Sequence, residues 1–414
     1  SSVVVRRMRR EREEGAMSSE IRIERTNGAS EQENHVEGPE ETTGAMDRRR
    51  FMAVGAGGLL GLFFIPSLGG CDDHIITPLK TDGAAPFITP VERFFRQNGA
   101  QGAIPGWKQP SFASRNDWSL AIKVGADEKT ITFADIERLA ANAERSLLKT
   151  IECILQSEVR TTATGDTGTA WWTGLPLSVL LDDIGVDYSE ASRIRQLIFT
   201  GEDGFINNIT TERLRSTDLD EPILAYRMNG VELPPEHGFP IRLIMQEGYG
   251  YKNVKWLTKI ETANFIGDFG TYQQQGFVDD GIMRVNSRST SMFDGVELAA
   301  GPITILGFST SGFAPIATVE VSIDGGDFKA TELVPFDRLK TEAGLPDTIL
   351  QIAESRGYPF LGVWTPWEYQ WEATAGAHTV AIRATDADGN VQSSVDVDQF
   401  DGKTAIQRYD VIVR

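Results

Sequence analysis

Leu233-Pro234-Pro235-Glu236-His237-Gly238-Phe239-Pro240-Ile241-Arg242, followed by Gly250-Tyr251-Lys252-Asn253-Val254-Lys255-Trp256-Leu257, is the stretch on which the fold turns. It sets a histidine, an arginine and two lysines among prolines and aromatic residues, in a chain whose formal net charge is −19. Arg can grip a phosphate with paired donors and Lys adds a compact point charge, so the acidic balance does not exclude a local basic pocket for one phosphorylated cofactor. Upstream stands Ile151-Glu152-Cys153-Ile154 and then, past a Gly/Thr-rich loop, Trp171-Trp172-Thr173-Gly174-Leu175-Pro176-Leu177. A lone cysteine in an apolar segment is more often a packing residue than a ligand. The meaning of Cys153 therefore depends on its company.

Outward from these segments, 414 residues with 40% hydrophobic and 24% charged residues describe a globular chain of two or three units. The acidic balance argues against a nucleic-acid binder, because a phosphate backbone is held mainly by Lys and Arg. With only Cys71 and Cys153, a disulfide framework, a four-cysteine iron–sulfur site and a C-x-x-C-H haem attachment are excluded. His35, His74, His237 and His378 show no zinc-ligand spacing.

From Phe94 to about Asn286 the patterns are mixed. The spacing of Ile136, Leu139, Ala143 and Leu147 predicts a helix over Asp135–Leu148, and Leu177, Leu180 and Leu181 predict a short one over Pro176–Ile184. Ile241–Met245 and Val254–Ile260 read as strands. Without a regular βαβ rhythm, the class is α+β. Beyond Gly295, Val319, Val321 and Ile323 alternate into an Asp324-Gly325-Gly326 turn, and His378–Thr385 alternates into Asp388-Gly389. That density of strand and turn signals predicts an Ig-like β-sandwich. Asp386-x-Asp388-Gly389 reads as a hairpin turn, since the rest of a calcium loop is missing.

The other end carries an address. Residues 1–45 are polar and charge-rich and read as a disordered extension, with Met46 as the expected true start. Residues 46–70 run from Arg48-Arg49-Arg50-Phe51-Met52 through a Gly-diluted apolar run to small residues, as in a twin-arginine lipoprotein signal. Cys71 is then the expected lipidation site, which implies periplasmic export and anchoring to the inner membrane. Residues 71–90 read as a linker, 91–290 as a catalytic domain and 291–414 as the sandwich.

Taken together and in order, Cys153, W-T-G-x-P-L, P-x-x-H-G-x-P-x-R and V-K-W-L resemble the sulfite oxidase and nitrate reductase family of molybdoenzymes. The resemblance runs from about Phe94 to the C-terminus and implies a molybdopterin-binding domain followed by an Ig-like domain. It implies molybdenum held by molybdopterin, with Cys153 as the catalytic thiolate ligand on the metal, which suits a soft sulfur donor. It also implies cofactor contacts from Asn98, Asp203, His237, Arg242, Asn253 and Lys255, with Lys252 beside them. The activity implied is two-electron oxo transfer, with electrons passed to an external cytochrome c or membrane redox subunit and a homodimer formed through the Ig-like domain.

Departures from the family sit on the substrate side. Gln97 stands where sulfite oxidases have an Arg and Gly99 where they have a His. Ala163 aligns with a second substrate arginine, with Arg160 nearby, and the family's D-Y-x-G-F tyrosine falls at Gln274 or Gln275. These changes remove the cationic pocket a sulfite dianion needs, so the expected substrate is not sulfite. The competing class is a non-catalytic, exported lipoprotein binding module derived from the same family; Cys153 together with His237, Arg242 and Lys255 speaks against it.

Overall fold

The computed structural model describes residues 85–99, 104–155, 165–217, 219–267, 270–396, 398 and 400–414. The expected export signal, Cys71, Arg160 and Ala163 lie outside the described residues.

The N-terminal half holds two sheets. In the first, β1 (Ser119–Val124), β2 (Asp127–Thr132), β5 (Gln196–Gly201), β6 (Ile206–Thr210) and β10 (Leu257–Ala263) lie in the order β2-β1-β10-β5-β6, parallel only between β1 and β10. In the second, β3 (Arg145–Glu152), β4 (Thr167–Pro176), β7 (Ile223–Met228) and β8 (Val231–Glu232) run antiparallel, and β9 (Arg242–Ile244) pairs with the start of β7. Helices α1 (Phe133–Ala143) and α2 (Leu177–Asp183) share a core with the first sheet, while α3 (Thr211–Leu214) is one turn after β6.

Helix α1 starts where Thr132 and Asp135 cap each other, the hydroxyl and the carboxylate each accepting the other's backbone N–H. Phe133 and Ile136 anchor its inner face, at about 2 kcal/mol each for full burial. The helix ends at Ala143, short of the predicted Leu148. Glu144 turns extended (φ −51°, ψ 136°), and Leu147–Glu152 are consecutively buried in β3, paired along their length with β4. The buried stretch includes Lys149, Thr150 and Glu152, so pairing with β4 rather than an apolar run makes it a strand, and Leu147 fits the helical spacing by chance. Helix α2 forms as expected, with Leu177, Leu180 and Leu181 fully buried.

The predicted Val254–Ile260 strand begins only at Leu257. Trp256 sits at φ 48°, a region that side-chain-bearing residues seldom adopt, and its indole donates to Pro235 O at 2.8 Å. Val254 and Lys255 are thereby in a turn rather than a ladder, which frees Lys255 to point at the site.

The C-terminal half is a sandwich, as expected. One sheet orders β11 (Asn286–Ser289), β13 (Gly301–Thr310), β17 (Thr365–Ala373) and β16 (Glu332–Leu333) as β11-β13-β17-β16. The other orders β12 (Glu297–Leu298), β19 (Gln407–Val413), β18 (Gly376–Asp386), β14 (Ile316–Ile323) and β15 (Lys329–Ala330) as β12-β19-β18-β14-β15. Ile305, Trp367 and Trp371 of the first meet Val319, Val321, Val380 and Ile382 of the second. The β14–β15 hairpin turns through Asp324 and Gly325, both at positive φ, as its residue types demand. Asp386 spends its carboxylate on the Asp388 and Asn390 backbone N–H groups and on Ser311 Oγ, so this loop is the hairpin turn expected. Helices α4 (Phe336–Ala343) and α5 (Asp347–Arg356) lie between β16 and β17 and pack around Phe308 and Trp364.

Strand β3 is tied into the sandwich half. Thr150 N donates to Gly362 O at 2.9 Å, and Thr150 Oγ1 accepts from Trp364 N at 2.7 Å. The buried Glu152 carboxylate accepts from Asn286 Nδ2 (3.1 Å) and Thr310 Oγ1 (3.0 Å), with Arg288 3.6 Å away.

Candidate active site

Four chain segments converge on one cavity of about 710 Å³ of non-atom space, open to solvent. Strand β3 delivers Cys153 at its C-terminal end, buried at 6% exposure, its N–H donating to Asp166 O at 2.9 Å. A 3-10 turn, Pro235–His237, presents His237, and β9 opens with Arg242. The turn before β10 presents Asn253 and Lys255, and the N-terminal segment crosses the cavity with Phe94, Phe95, Gln97, Asn98 and Gly99. Of the residues the sequence singled out, Cys153, Asn98, Asp203, His237, Arg242, Asn253 and Lys255 all line this space.

Gly238 explains why the basic residues can come so close. It sits at φ 108°, and a Cβ there would meet the Cβ atoms of Arg242 and Lys255, each at 3.1 Å. Arg242 braces the two turns, donating from Nη1 to His237 O and from Nη2 to Asn253 O, both at 3.0 Å, over the face of Trp172 at 4.8 Å. Lys255 Nζ donates to Asn98 Oδ1 at 2.6 Å and to Glu236 O at 3.1 Å, while Arg96 pairs with Glu236 at 2.7 Å. Asp203 accepts from Trp107 Nε1 at 3.1 Å and Phe205 N at 3.0 Å.

Two of the expected contacts have other duties. Lys252 does not line the cavity: it is buried, its Nζ donates to Asp279 O at 3.2 Å, and burial pushes its pKa down to about 8. Asn253 lines it, but its amide is spent internally, accepting from Met245 N at 2.8 Å and donating to Tyr249 O at 2.8 Å. It shapes the turn that carries Lys255.

The electrostatics describe a site built for an anion. Burial, and then the charges of Lys255, Arg242 and Arg96, push the His237 pKa down to about 2, leaving a neutral ring. Burial lowers Arg242 to about 9, and burial with the neighbouring Arg242 drives Lys255 well below the ordinary lysine value. Among the described residues, His237 Nε2 and Arg242 Nε are buried without a hydrogen-bond partner. Buried polar atoms are rarely left so in a protein interior, and positive groups this close are costly unless negative charge joins them. A phosphorylated pterin satisfies both conditions, so the residues present fit it.

Toward Cys153 the wall changes character. Ile154, Tyr251 and Tyr272 form one buried cluster with Phe205 against it, Tyr272 lying 5.4 Å from Tyr251 and 5.9 Å from Phe205 between ring centroids. Burial, with the nearby Cys153, holds the Tyr272 hydroxyl above its usual range. Sequence reasoning missed this tyrosine: a 3-10 turn, Gln273–Gln275, separates it from Gly276-Phe277, so it precedes the motif position where one was sought. Gln97 and Gly99 stand in the cavity lining, and Gly99, at φ 70°, leaves a Cβ only 3.0 Å from the Trp107 ring.

Comparison with known proteins agrees with this geometry. Residues 107–266 match the family described as the oxidoreductase molybdopterin binding domain. Nitrate reductase [NADH] 1 of Arabidopsis thaliana is 27% identical over 290 residues, 58% of this chain and 30% of that protein. Mitochondrial sulfite oxidase of Homo sapiens is 30% identical over 185 residues, 39% of this chain and 34% of that protein. The chain thus spans about a third of the length of these curated relatives. The sulfane dehydrogenase SoxCD of Paracoccus pantotrophus shares the fold, with a TM-score of 0.61 at 21% identity over 79% of this chain and 82% of that one. On its motifs, its cavity and its fold, this chain carries an oxidoreductase molybdopterin binding domain over residues 107–266 and is similar to the sulfite-oxidase-like molybdopterin oxidoreductases.

Proposed function

We propose that the chain is an exported molybdopterin-dependent oxidoreductase that moves one oxygen atom and two electrons to or from a substrate other than sulfite. The observation that carries this is the convergence of Cys153 with Asn98, His237, Arg242 and Lys255 on a single cavity. His237, Arg242 and Lys255 take the phosphate end of the cofactor; the Cys153 thiolate takes the metal at the other. When bound, the molybdenum centre supplies a two-electron couple suited to oxygen-atom transfer. The aromatic wall excludes water beside it, and the Tyr272 hydroxyl stays protonated as a donor. Sulfite is disfavoured because Gln97 and Gly99 hold the positions of charged residues in sulfite oxidases.

Electrons then pass singly to an external carrier, a cytochrome c or a membrane redox subunit. Cys71 is the proposed lipid anchor holding the protein at the periplasmic face of the inner membrane, and the sandwich is the proposed dimer contact. Metal and pterin analysis of the purified native protein tests the central reading, with Cys153→Ser beside it. Molybdenum and pterin are expected in the native protein, and pterin with severely reduced metal in the variant. A native protein without molybdenum would overturn it.

A further inference from the structure

Successive side chains of β3 face opposite ways, as in any strand. Ile151 and Cys153 line the cavity, whereas Leu148 packs with Trp364 and Thr150 accepts from the Trp364 N–H on the sandwich side. Glu152 belongs to this second set and is 1% exposed. Its carboxylate is divided between two sandwich strands: Oε1 accepts from Asn286 Nδ2 of β11, and Oε2 from Thr310 Oγ1 of β13. Asn286 and Thr310 are themselves paired across those strands. Behind them, Asn286 Oδ1 accepts from Gln392 Nε2 at 3.4 Å, and Gln392 Oε1 accepts from Ala384 N of β18 at 2.9 Å. The hydrogen-bond chain from Glu152 thus reaches both sheets of the sandwich. Arg288, 3.6 Å away, and Lys149 in the same strand bring positive charge toward the carboxylate. An apolar side chain would fill this space without the desolvation that a buried carboxylate suffers. What the carboxylate adds is direction, because two hydrogen bonds to donors on separate strands hold the end of β3 against rotation about its axis. Cys153 is the next residue, its N–H held by Asp166 O, so the rotation set at Glu152 is the one with which the thiol enters the cavity.

We propose that Glu152 is the positioning residue for Cys153, and that the sandwich, through Asn286 and Thr310, sets the direction in which the sulfur is offered to the metal. The inference rests on the molybdopterin oxidoreductase reading above and assigns a residue outside the cavity lining. Groups one step removed from a metal ligand fix the ligand's orientation, and removing them weakens metal binding by about tenfold or more.

The test reads the metal rather than turnover. The molybdenum-to-pterin ratio of the purified full chain and its variants is measured, and the Mo(V) signal is recorded by electron paramagnetic resonance after partial reduction with dithionite. Glu152→Ala should lower the ratio about tenfold at unchanged pterin content. Glu152→Gln should restore it, because the amide can accept from Asn286 and donate to Thr310 Oγ1. Thr310→Val keeps the side-chain shape, removes one donor and should shift the Mo(V) signal. Ser309→Ala is the control: it removes the 2.8 Å hydrogen bond to Ser287 one residue along the same strand, and should lower the urea midpoint without moving the signal. Should Glu152→Ala not fold, the comparison of Thr310→Val with Ser309→Ala decides. Glu152 and Thr310 variants that lose stability yet keep the wild-type ratio and signal overturn the inference, as does a Ser309→Ala signal shifted as far as that of Thr310→Val. Either result leaves the oxidoreductase reading intact, whereas wild-type protein without molybdenum defeats that reading and this one with it.

Discussion

Lys255 and Asn98, 157 residues apart in the chain, meet through a 2.6 Å hydrogen bond from Nζ to Oδ1 that closes the N-terminal segment over the basic end of the cavity. The lysine does this at an electrostatic cost, since burial and Arg242 both act against its charge. Lys255→Met should therefore separate retention of the cofactor from stability of the fold. Pterin content, measured as its fluorescent oxidation product, is expected to fall severalfold. The cofactor-free variant should unfold at higher urea than cofactor-free wild type, by about 1 kcal/mol, because a methionine of similar reach removes a charge for which burial and Arg242 outweigh the pull of Asp203 and Glu236. Equal pterin content in the two proteins would remove Lys255 from the cradle.

Gly174, inside the W-T-G-x-P-L segment, lies where the β4–β7 register shifts. A Cβ there would run into the Leu224 carbonyl oxygen and the Ala225 Cα, both backbone atoms that cannot rotate away. Gly174→Ala is expected to cost about 3 kcal/mol or more in urea unfolding, or to abolish soluble expression. A loss under 1 kcal/mol would show that the two strands can part without consequence.

Lys149 is fully buried in β3, its Nζ reaching Met283 Sδ at 3.5 Å, and burial pushes its pKa down to about 7 against the opposing pull of Glu247 and Glu152. A lysine whose folded pKa is depressed destabilises the fold while it is charged. Wild-type stability should accordingly rise as pH increases from about 7 toward the unfolded value near 10. Lys149→Met should be more stable than wild type below pH 7, by about 1 kcal/mol, and lose that advantage toward pH 10. Urea midpoints at pH 6.5 and 9.5 check the sign; an advantage that grows with pH contradicts it.

His378 titrates the other way. Nδ1 lies 2.7 Å from Asp324 Oδ2 and Nε2 2.8 Å from Thr374 O, so both ring nitrogens face acceptors and the imidazolium is favoured. The hydrogen bond to Asp324, then that to Thr374 O, raises its pKa. The stabilisation is complete below the unfolded value of about 6.5 and is lost as pH rises through the raised folded value. His378→Gln should lower the urea midpoint at pH 5.5 and leave it nearly unchanged at pH 9. A pH-independent difference would show that shape, not charge, holds the β14 hairpin to β18.

Much of this site was legible because its chemistry is carried by side chains in short, ordered motifs: Cys153, His237, Arg242 and Lys255 do meet around one cavity. The sandwich was legible through strict alternation in β14 and β18 and through Asp-Gly turns. What escaped depends on long-range geometry. Leu147 continued the α1 pattern until β4 claimed it for a ladder. Lys252 and Asn253 carry the right chemistry, but the turn aims one at Asp279 O and spends the other on its own backbone. Tyr272 was invisible to motif alignment because a single 3-10 turn shifts it along the chain while leaving its ring in the cavity.

The anchoring of Glu152 on Asn286 and Thr310 has a consequence for anyone who would take the chain apart. The residue next to the cavity cysteine finds its hydrogen-bond partners in the other half, so the site is a joint property of both. A fragment ending before Asn286 would leave that carboxylate without either donor, and grafting a foreign sandwich onto residues 91–285 would require its first two long strands to supply an Asn and a Thr in register. Exchange between relatives should succeed for whole chains and for surface loops, while the seam beneath Cys153 travels as one unit.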